Sequence, residues 1–149
     1  MSQIDDPTLE TLRTGLAAAP AVLVSVRATQ GSVPREAGTW MAVWPGRVLG
    51  TIGGGHLEFD AIAHARQLLA GATVARERRF ALGPSLGQCC GGVVHLGFEP
   101  VAPSQADASV ERLRGEQDSR RVPVALFGGG HVGKAIVNIL STLPMQVMW

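Results

Sequence analysis

The sequence of 149 residues has almost no surplus of either charge, because 13 Lys and Arg residues are balanced by 12 Asp and Glu residues. The resulting net charge of +1 gives no electrostatic footprint for nucleic acid. The run RERR at residues 76–79 is a local basic cluster, and we expect it to be a solvated strand face rather than a binding patch. The sequence therefore predicts no nucleic-acid partner.

Long hydrophobic runs are also missing. No apolar segment approaches the length needed to span a bilayer, and the polar, acidic start MSQIDDPTLE does not resemble a signal peptide. We therefore expect a cytoplasmic protein with no membrane partner. A hydrophobic content of 46% is enough to build a globular core.

Cysteine is scarce, since Cys89 and Cys90 are the only two, and they are adjacent within SLGQCCGG at residues 85–92. Thiols stay reduced in the cytoplasm, and a bond between neighbouring cysteines would close a strained ring, so we expect no disulfide. The pair lacks the C-x-x-C spacing of zinc sites and thioredoxin-type motifs. Two interpretations remain: small buried apolar side chains, or accessible thiols in a glycine-rich loop.

Glycine, by contrast, is abundant and clustered. Most of the 19 glycines fall in three segments, GTIGGGH at 50–56, GQCCGG at 87–92 and FGGGHVG at 127–133. Glycine is useful where the backbone turns sharply or approaches a ligand closely. The three clusters predict a ligand-binding protein.

The hydrophobic periodicity predicts an α/β protein. We expect helices over about 7–19 and 56–71, and strands over 21–29, 73–82 and 93–101. A hairpin over 39–52 should turn at Pro45-Gly46. We predict an α+β N-terminal domain over residues 1–103, which contains the hairpin and a mixed sheet. A linker over 104–121 contains a short helix over 105–115. Residues 122–149 form the first β-α-β piece of a Rossmann-like domain.

The third glycine cluster matches the dinucleotide-binding fingerprint. Gly128, Gly130 and Gly133 follow an apolar strand and open a helix that also carries His131 in its first turn. The fingerprint further requires an acidic residue after the next strand, and the sequence reaches only Trp149 there. We therefore do not expect this chain alone to bind NAD(P), although a nucleotide-dependent oxidoreductase remains the alternative function.

Polar residues accompany the other glycine clusters. Arg35 follows GSVP, His56 and Glu58 follow the GGG turn, and Gln88 precedes the cysteines. The turn opens a helix whose N-terminus favours an anion, and Arg35 could bind the same anion. Each residue also has a plain structural interpretation: a surface cation for Arg35, a first-turn residue for His56, and a complement to the helix dipole for Glu58, which is the role we expect. No site role is expected for His64 or His95.

Three segments together resemble the XdhC/CoxI family of xanthine dehydrogenase accessory proteins. They are GSVPREAGTWMAVWPGRVLGTIGGGHLEFDAI, RRFALGPSLGQCCGGVVHLGFEP and VALFGGGHVGKAIVNIL, in the family's order. The resemblance implies a cofactor carrier rather than an enzyme, one that binds molybdenum cofactor (molybdopterin). It would hold the cofactor while a cysteine desulfurase supplies sulfur, deliver it to apo xanthine dehydrogenase, and form a homodimer. Because members carry a complete Rossmann-like domain, we expect a C-terminally truncated member.

The resemblance also implies a set of site residues. Cys89 or Cys90 would contact the molybdenum, and the Gly53–Gly55 turn with Arg35 would hold the phosphate. CoxI-type relatives have cysteine where this sequence has His56, so the ligand at that position does not carry over. A domain that only docks onto other proteins, with inert cysteines, is a further alternative. The predicted cofactor-binding residues are Arg35, Gly53, Gly54, Gly55, His56, Gln88, Cys89, Cys90, Gly91, Gly128, Gly130, His131 and Gly133.

Overall fold

The computed structural model describes residues 7–83 and 91–149. By contacts the chain divides into two compact units, one up to Val110 and one from Glu111 to Trp149, and each is described by itself. Within the described residues, no helix combines the length and the apolar character that crossing a bilayer requires.

The first unit is built on a five-stranded antiparallel sheet. Its strands are β1 (Ala21–Gln30), β2 (Trp40–Val43), β3 (Val48–Gly50), β4 (Glu77–Ala81) and β5 (Val93–Val101). They lie in the order β3-β2-β1-β5-β4. The predicted hairpin is confirmed as β2 and β3. The longest pairing joins β1 to β5, from Ala21 opposite Val101 to Gln30 opposite Val93.

One face of this sheet is covered by a helix. Helix α2 (Gly55–Leu69) contributes Leu57, Ala61 and Ala65 to the main core, where they meet alternate residues of the strands. Burying a large apolar side chain contributes about 1.5–3 kcal/mol. The strand residues of this core include Val22, Val24, Val26, Met41, Val43, Phe80, Val94, Leu96 and Phe98.

Helix α1 (Pro7–Ala18) buries its leucines, Leu9, Leu12 and Leu16. It comes very close to the hairpin at Gly15, where a β-carbon would lie 2.7 Å from the ring of Trp44. The Trp44 indole in turn donates a hydrogen bond to the carbonyl of Ala19 at 3.2 Å. A glycine is therefore required where α1 crosses the hairpin.

The stretch that we predicted to be a linker contains regular structure. A short 3₁₀ helix (Pro103–Gln105) leads into α3 (Ala106–Asp118), which agrees with the expected short helix and extends it. The division between the two units falls inside α3. The domain boundaries given above stay predictions.

The second unit contains β6 (Val122–Ala125), α4 (His131–Leu140) and β7 (Met145–Met148). The two strands pair in parallel, Val122 opposite Met145, and α4 connects them. This is the predicted β-α-β piece. Together with the antiparallel first unit it confirms the α/β fold class.

Candidate functional site

The loop between β1 and β2 contacts two of the glycine clusters. On one side, the backbone of Gln30 and Ser32 lies against Gly92. On the other side, Pro34 lies against Gly53. Segments far apart in the sequence therefore meet along one loop, residues 31–39, which we call the clamp loop.

Gly92 fixes the first of these contacts. A β-carbon there would lie 2.6 Å from the carbonyl oxygen of Gln30 and even closer to that of Ser32. The carbonyl of Gly92 also accepts a hydrogen bond from the amide of Leu82 at 2.8 Å, which continues the pairing of β4 with β5. The backbone on the C-terminal side of the cysteine segment is thus held against the clamp loop.

Three predicted site residues, Gln88, Cys89 and Cys90, lie outside the described residues. Their neighbour Gly91 is described and exposed, and a β-carbon built on it would meet nothing within 4 Å. Among the described residues, no group of three or more His, Cys, Asp or Glu side chains is arranged to hold a metal ion. The proposed contact between either cysteine and molybdenum stays a prediction.

The glycine turn before α2 is the second contact. Gly53, Gly54 and Gly55 all have positive φ angles, 127°, 79° and 65°, which side-chain-bearing residues rarely adopt. A β-carbon on Gly53 would lie 2.7 Å from Cγ of Pro34 and 3.6 Å from Cγ of Arg35. The structure therefore brings the exposed Arg35 beside the turn with which it was predicted to act.

Glu58 holds this turn in shape. Its Oε2 accepts hydrogen bonds from the Thr51 hydroxyl at 2.5 Å, the Ile52 amide at 3.1 Å and the Gly54 amide at 3.0 Å. The Gly53 amide donates to Thr51 Oγ1 at 3.1 Å. The structural role predicted for Glu58 is confirmed, and its carboxylate does more than complement the helix dipole.

These bonds decide which backbone amides can meet a ligand. The amides of Ile52, Gly53 and Gly54 already have acceptors within the protein. The next amides, at Gly55 and His56, begin α2, and first-turn amides have no acceptor inside their own helix. Contact with an anion at this turn would therefore come from the start of the helix rather than from the glycine bend.

Phe59 is a residue that the sequence analysis did not single out. Its side chain is 70% exposed, and it follows His56, also exposed, by three positions, so the two are neighbours on one face of α2. The signal was present in the sequence, because Phe59 lies outside the apolar stripe formed by Leu57, Ala61 and Ala65. An exposed aromatic ring next to the glycine turn offers a flat apolar surface to a ligand.

The third glycine cluster is in the second unit. Gly128 has a φ of 115°, and a β-carbon on Gly133 would lie 2.6 Å from the Gly128 carbonyl oxygen. That carbonyl accepts a hydrogen bond from the Trp149 indole at 2.7 Å. Gly130 is the N-cap of α4 and His131 its exposed first residue. The tight turn that the fingerprint demands is present.

One histidine, His64, is buried beneath the sheet. His64, on α2, is 7% exposed and packs on the Phe98 ring at 4.5 Å. Its Nε2 lies 2.7 Å from the Ala75 carbonyl oxygen, so Nε2 carries the proton and donates it. Arg78 then donates to Nδ1 at 3.4 Å. His64 connects α2 to the segment before β4, a structural role.

The sheet, the clamp loop and the glycine turn belong to an α/β protein. Residues 16–80 match the model of the XdhC and CoxI family, so the resemblance to that family is confirmed over this stretch. The matched residues include Arg35, the Gly53–Gly55 turn and His56. They end before the cysteine segment.

Comparison with solved structures supports the fold. The crystal structure of a xanthine dehydrogenase from Bacillus halodurans superposes with a TM-score of 0.58 at 23% sequence identity. The match covers 76% of this chain but 36% of that one, so this chain spans about a third of the length of its structural relative. No curated protein matches the chain.

Proposed function

We propose that the protein is an accessory factor that binds molybdenum cofactor and inserts it into xanthine dehydrogenase. The observation that carries the proposal is the clamp loop, which joins the glycine turn of α2 to the segment following Cys89 and Cys90. The family match over residues 16–80, which contains the turn and Arg35, favours an accessory role of the XdhC/CoxI kind.

The residues around the clamp loop suit the parts of molybdopterin. The guanidinium of Arg35 and the first amides of α2 would hold the terminal phosphate, since both favour an anion. The exposed ring of Phe59 would lie against the flat pterin. A thiolate from Cys89 or Cys90 would contact molybdenum, a metal for which soft sulfur is a suitable ligand. When bound, the cofactor supplies a dithiolene-held molybdenum centre for the target enzyme.

The position of Glu58 limits where the phosphate of the cofactor can bind. Its carboxylate already occupies the inner side of the glycine turn, where a second anion would be repelled. The phosphate would therefore lie on the outer side, toward Arg35 and His56. Gln88 and Gly91 would border the molybdenum end.

The proposed role is that of a carrier, so no catalytic residue is assigned. A cysteine desulfurase would supply the sulfur, and apo xanthine dehydrogenase would receive the cofactor. We also propose that the protein acts in the cytoplasm as a homodimer.

The test is cofactor retention. The protein would be purified from cells that synthesise molybdopterin, and its pterin content measured by the fluorescence of the oxidised pterin. The expected result is retained pterin in the wild type and a large loss in the Cys89→Ala or the Cys90→Ala variant. Equal retention in the wild type and both variants would contradict the thiol role. Absence of pterin from every sample would contradict the whole proposal.

A second ligand is favoured by the geometry of the second unit. The parallel β6–α4–β7 arrangement, with Gly133 packed on the Gly128 carbonyl, is the arrangement used to bind nucleotide phosphates. Titration of the chain with ADP and NADH would test this alternative, with Gly133→Ala as the variant that closes the turn and Gly129→Ala as its control. Binding by the wild type and the control alone would support a nucleotide-dependent function.

A further inference from the structure

A pocket of about 230 Å³ opens on the sheet. It is formed by strands β1, β4 and β5, and three of its six residues are arginines. Its lining residues are Arg27, Glu77, Arg78, Arg79, His95 and Leu96.

The strand register explains why these side chains converge. Arg79 of β4 pairs with His95 of β5, and His95 also pairs with Ala28 of β1. Neighbouring strands lie about 4.8 Å apart, so the three positions form a short row across the sheet. The β1–β5 register shifts between Val26 and Ala28, and Arg27 is the residue in this bulge. Bulges redirect a side chain, and here the side chain is directed over β5.

Gly97 makes room for Arg27. A β-carbon on Gly97 would lie 3.2 Å from both Cγ and Cζ of Arg27, and Nε would be closer still. The guanidinium therefore lies flat on the bare backbone of β5. Packing over Gly97 thus fixes the position of Arg27 in the pocket. Arg78 points to the opposite face of the sheet, because its Cζ lies 4.8 Å from the centroid of the Phe80 ring and its Nη1 donates to His64 of α2. Its guanidinium therefore does not face Arg27 and Arg79.

The charges in the pocket are not balanced. Within the part of the chain that the structure describes, no carboxylate lies within ion-pair distance of Arg27, Arg78 or Arg79, although arginines elsewhere are paired, as Arg13 is with Glu10 at 3.5 Å. Glu77 lines the same pocket, and among the described residues it forms no ion pair either. The guanidinium groups of Arg27 and Arg79 and the carboxylate of Glu77 leave a surplus of one positive charge. Arginine is well suited to tetrahedral oxyanions, because its donors form a planar fork.

We propose that this pocket binds a phosphate-type oxyanion, either free phosphate or the phosphate of a small ester. The guanidinium groups of Arg27 and Arg79 offer several donors to the oxygens of a phosphate group, and their surplus of one positive charge over Glu77 favours an anion. Glu77 would accept a hydrogen bond from the remaining proton of a monoprotonated phosphate or from a hydroxyl of the ester. Residues 76–79 are exposed, as the sequence indicated, yet Arg79 has this second use.

The pocket is separate from the clamp loop. His95 is three residues along β5 from Gly92, a distance of about 10 Å in an extended strand. The proposal does not rest on the cofactor-binding function, and it would stand if the protein bound no molybdopterin.

The test is a calorimetric titration with inorganic phosphate, phenyl phosphate and acetate at constant ionic strength. We expect saturable binding of phosphate or its ester, and affinity at least tenfold lower for acetate. Tighter binding of phenyl phosphate would identify an ester as the preferred source, and tighter binding of inorganic phosphate would identify the free ion. Absence of saturable phosphate binding, or acetate binding of equal affinity, would overturn the proposal.

Substitutions inside and outside the pocket test where the phosphate binds. Arg79→Gln and Arg27→Gln should each lower phosphate affinity about tenfold, whereas Arg66→Gln, an exposed arginine on α2, should leave it within twofold. Gly97→Ala keeps every charge but displaces the Arg27 guanidinium. Because Gly97 does not have a positive φ angle, alanine fits its backbone conformation without strain. This variant should therefore bind as weakly as Arg27→Gln while retaining the wild-type circular dichroism spectrum. Wild-type affinity in Gly97→Ala, or an equal loss in Arg66→Gln, would overturn the assignment.

Discussion

Replacing Glu58 with alanine should destabilise the first unit by about 2–4 kcal/mol. One carboxylate oxygen accepts three hydrogen bonds, from Thr51, Ile52 and Gly54, and hydrogen bonds to a charged group contribute about 1.5–3 kcal/mol each. The expected loss is smaller than the sum of these three contributions because Glu58 is only half-buried. In the variant, water can form hydrogen bonds with the donors that Glu58 no longer reaches. Glu58→Gln, which keeps an acceptor oxygen but loses the charge, should cost about half as much.

The assay is urea unfolding followed by tryptophan fluorescence, because Trp40 and Trp44 are buried in the first unit. Stability falls by about 1–3 kcal/mol per M urea for small proteins, so the midpoint should drop by about 1–2 M in Glu58→Ala. Gln67→Ala, an exposed position on the same helix, is the matched control and should change stability by less than about 0.5 kcal/mol. A Glu58→Ala midpoint equal to that of the control would refute the role given to these bonds.

Two further changes test the packing around the site. Gly92→Ala should lower the free energy of unfolding by more than about 2 kcal/mol, since its β-carbon would overlap the backbone carbonyl of Gln30. Gly91→Ala, with open space around it, should leave the free energy of unfolding nearly unchanged. Equal thermal midpoints for the two variants would contradict the close contact at Gly92. His64→Ala should cost about 2–4 kcal/mol through the loss of a buried ring and its bond to the Ala75 carbonyl. A thermal midpoint within 2 °C of the wild type would show that His64 does not connect α2 to the sheet.

The secondary structure could be predicted from local signals. The hairpin at Pro45-Gly46, the helix after the glycine turn and the β-α-β piece each depend on residues close together in the chain. Glu58 was correctly expected to be structural because its place in the first turns of α2 is also a local property. Its three donors could not be predicted, because the backward turn at Gly53–Gly55 has to be known first.

The tertiary contacts of the site could not be predicted from the sequence. The clamp loop meets Gly92 only because β1 and β5, about 70 residues apart in the chain, pair in one particular register. The register of β4 with β5 places Arg79 opposite His95 in the same pocket, and a bulge in β1 that no local pattern predicts directs Arg27 over Gly97. The RERR run was therefore correctly predicted to be exposed, while its share in a pocket was not foreseen.

We propose that the clamp loop and the α2 turn hold molybdenum cofactor, and Arg35 is the described residue that tests this proposal most directly. Purified apo protein would be titrated with molybdopterin, following the quenching of pterin fluorescence, in the wild type, Arg35→Gln and Arg66→Gln. Arg66 lies eleven residues from Gly55 on α2, about 16 Å along the helix, so its variant controls for the lost charge. We expect tight binding in the wild type and Arg66→Gln and affinity at least tenfold lower in Arg35→Gln. Equal affinity in all three proteins would contradict the proposal.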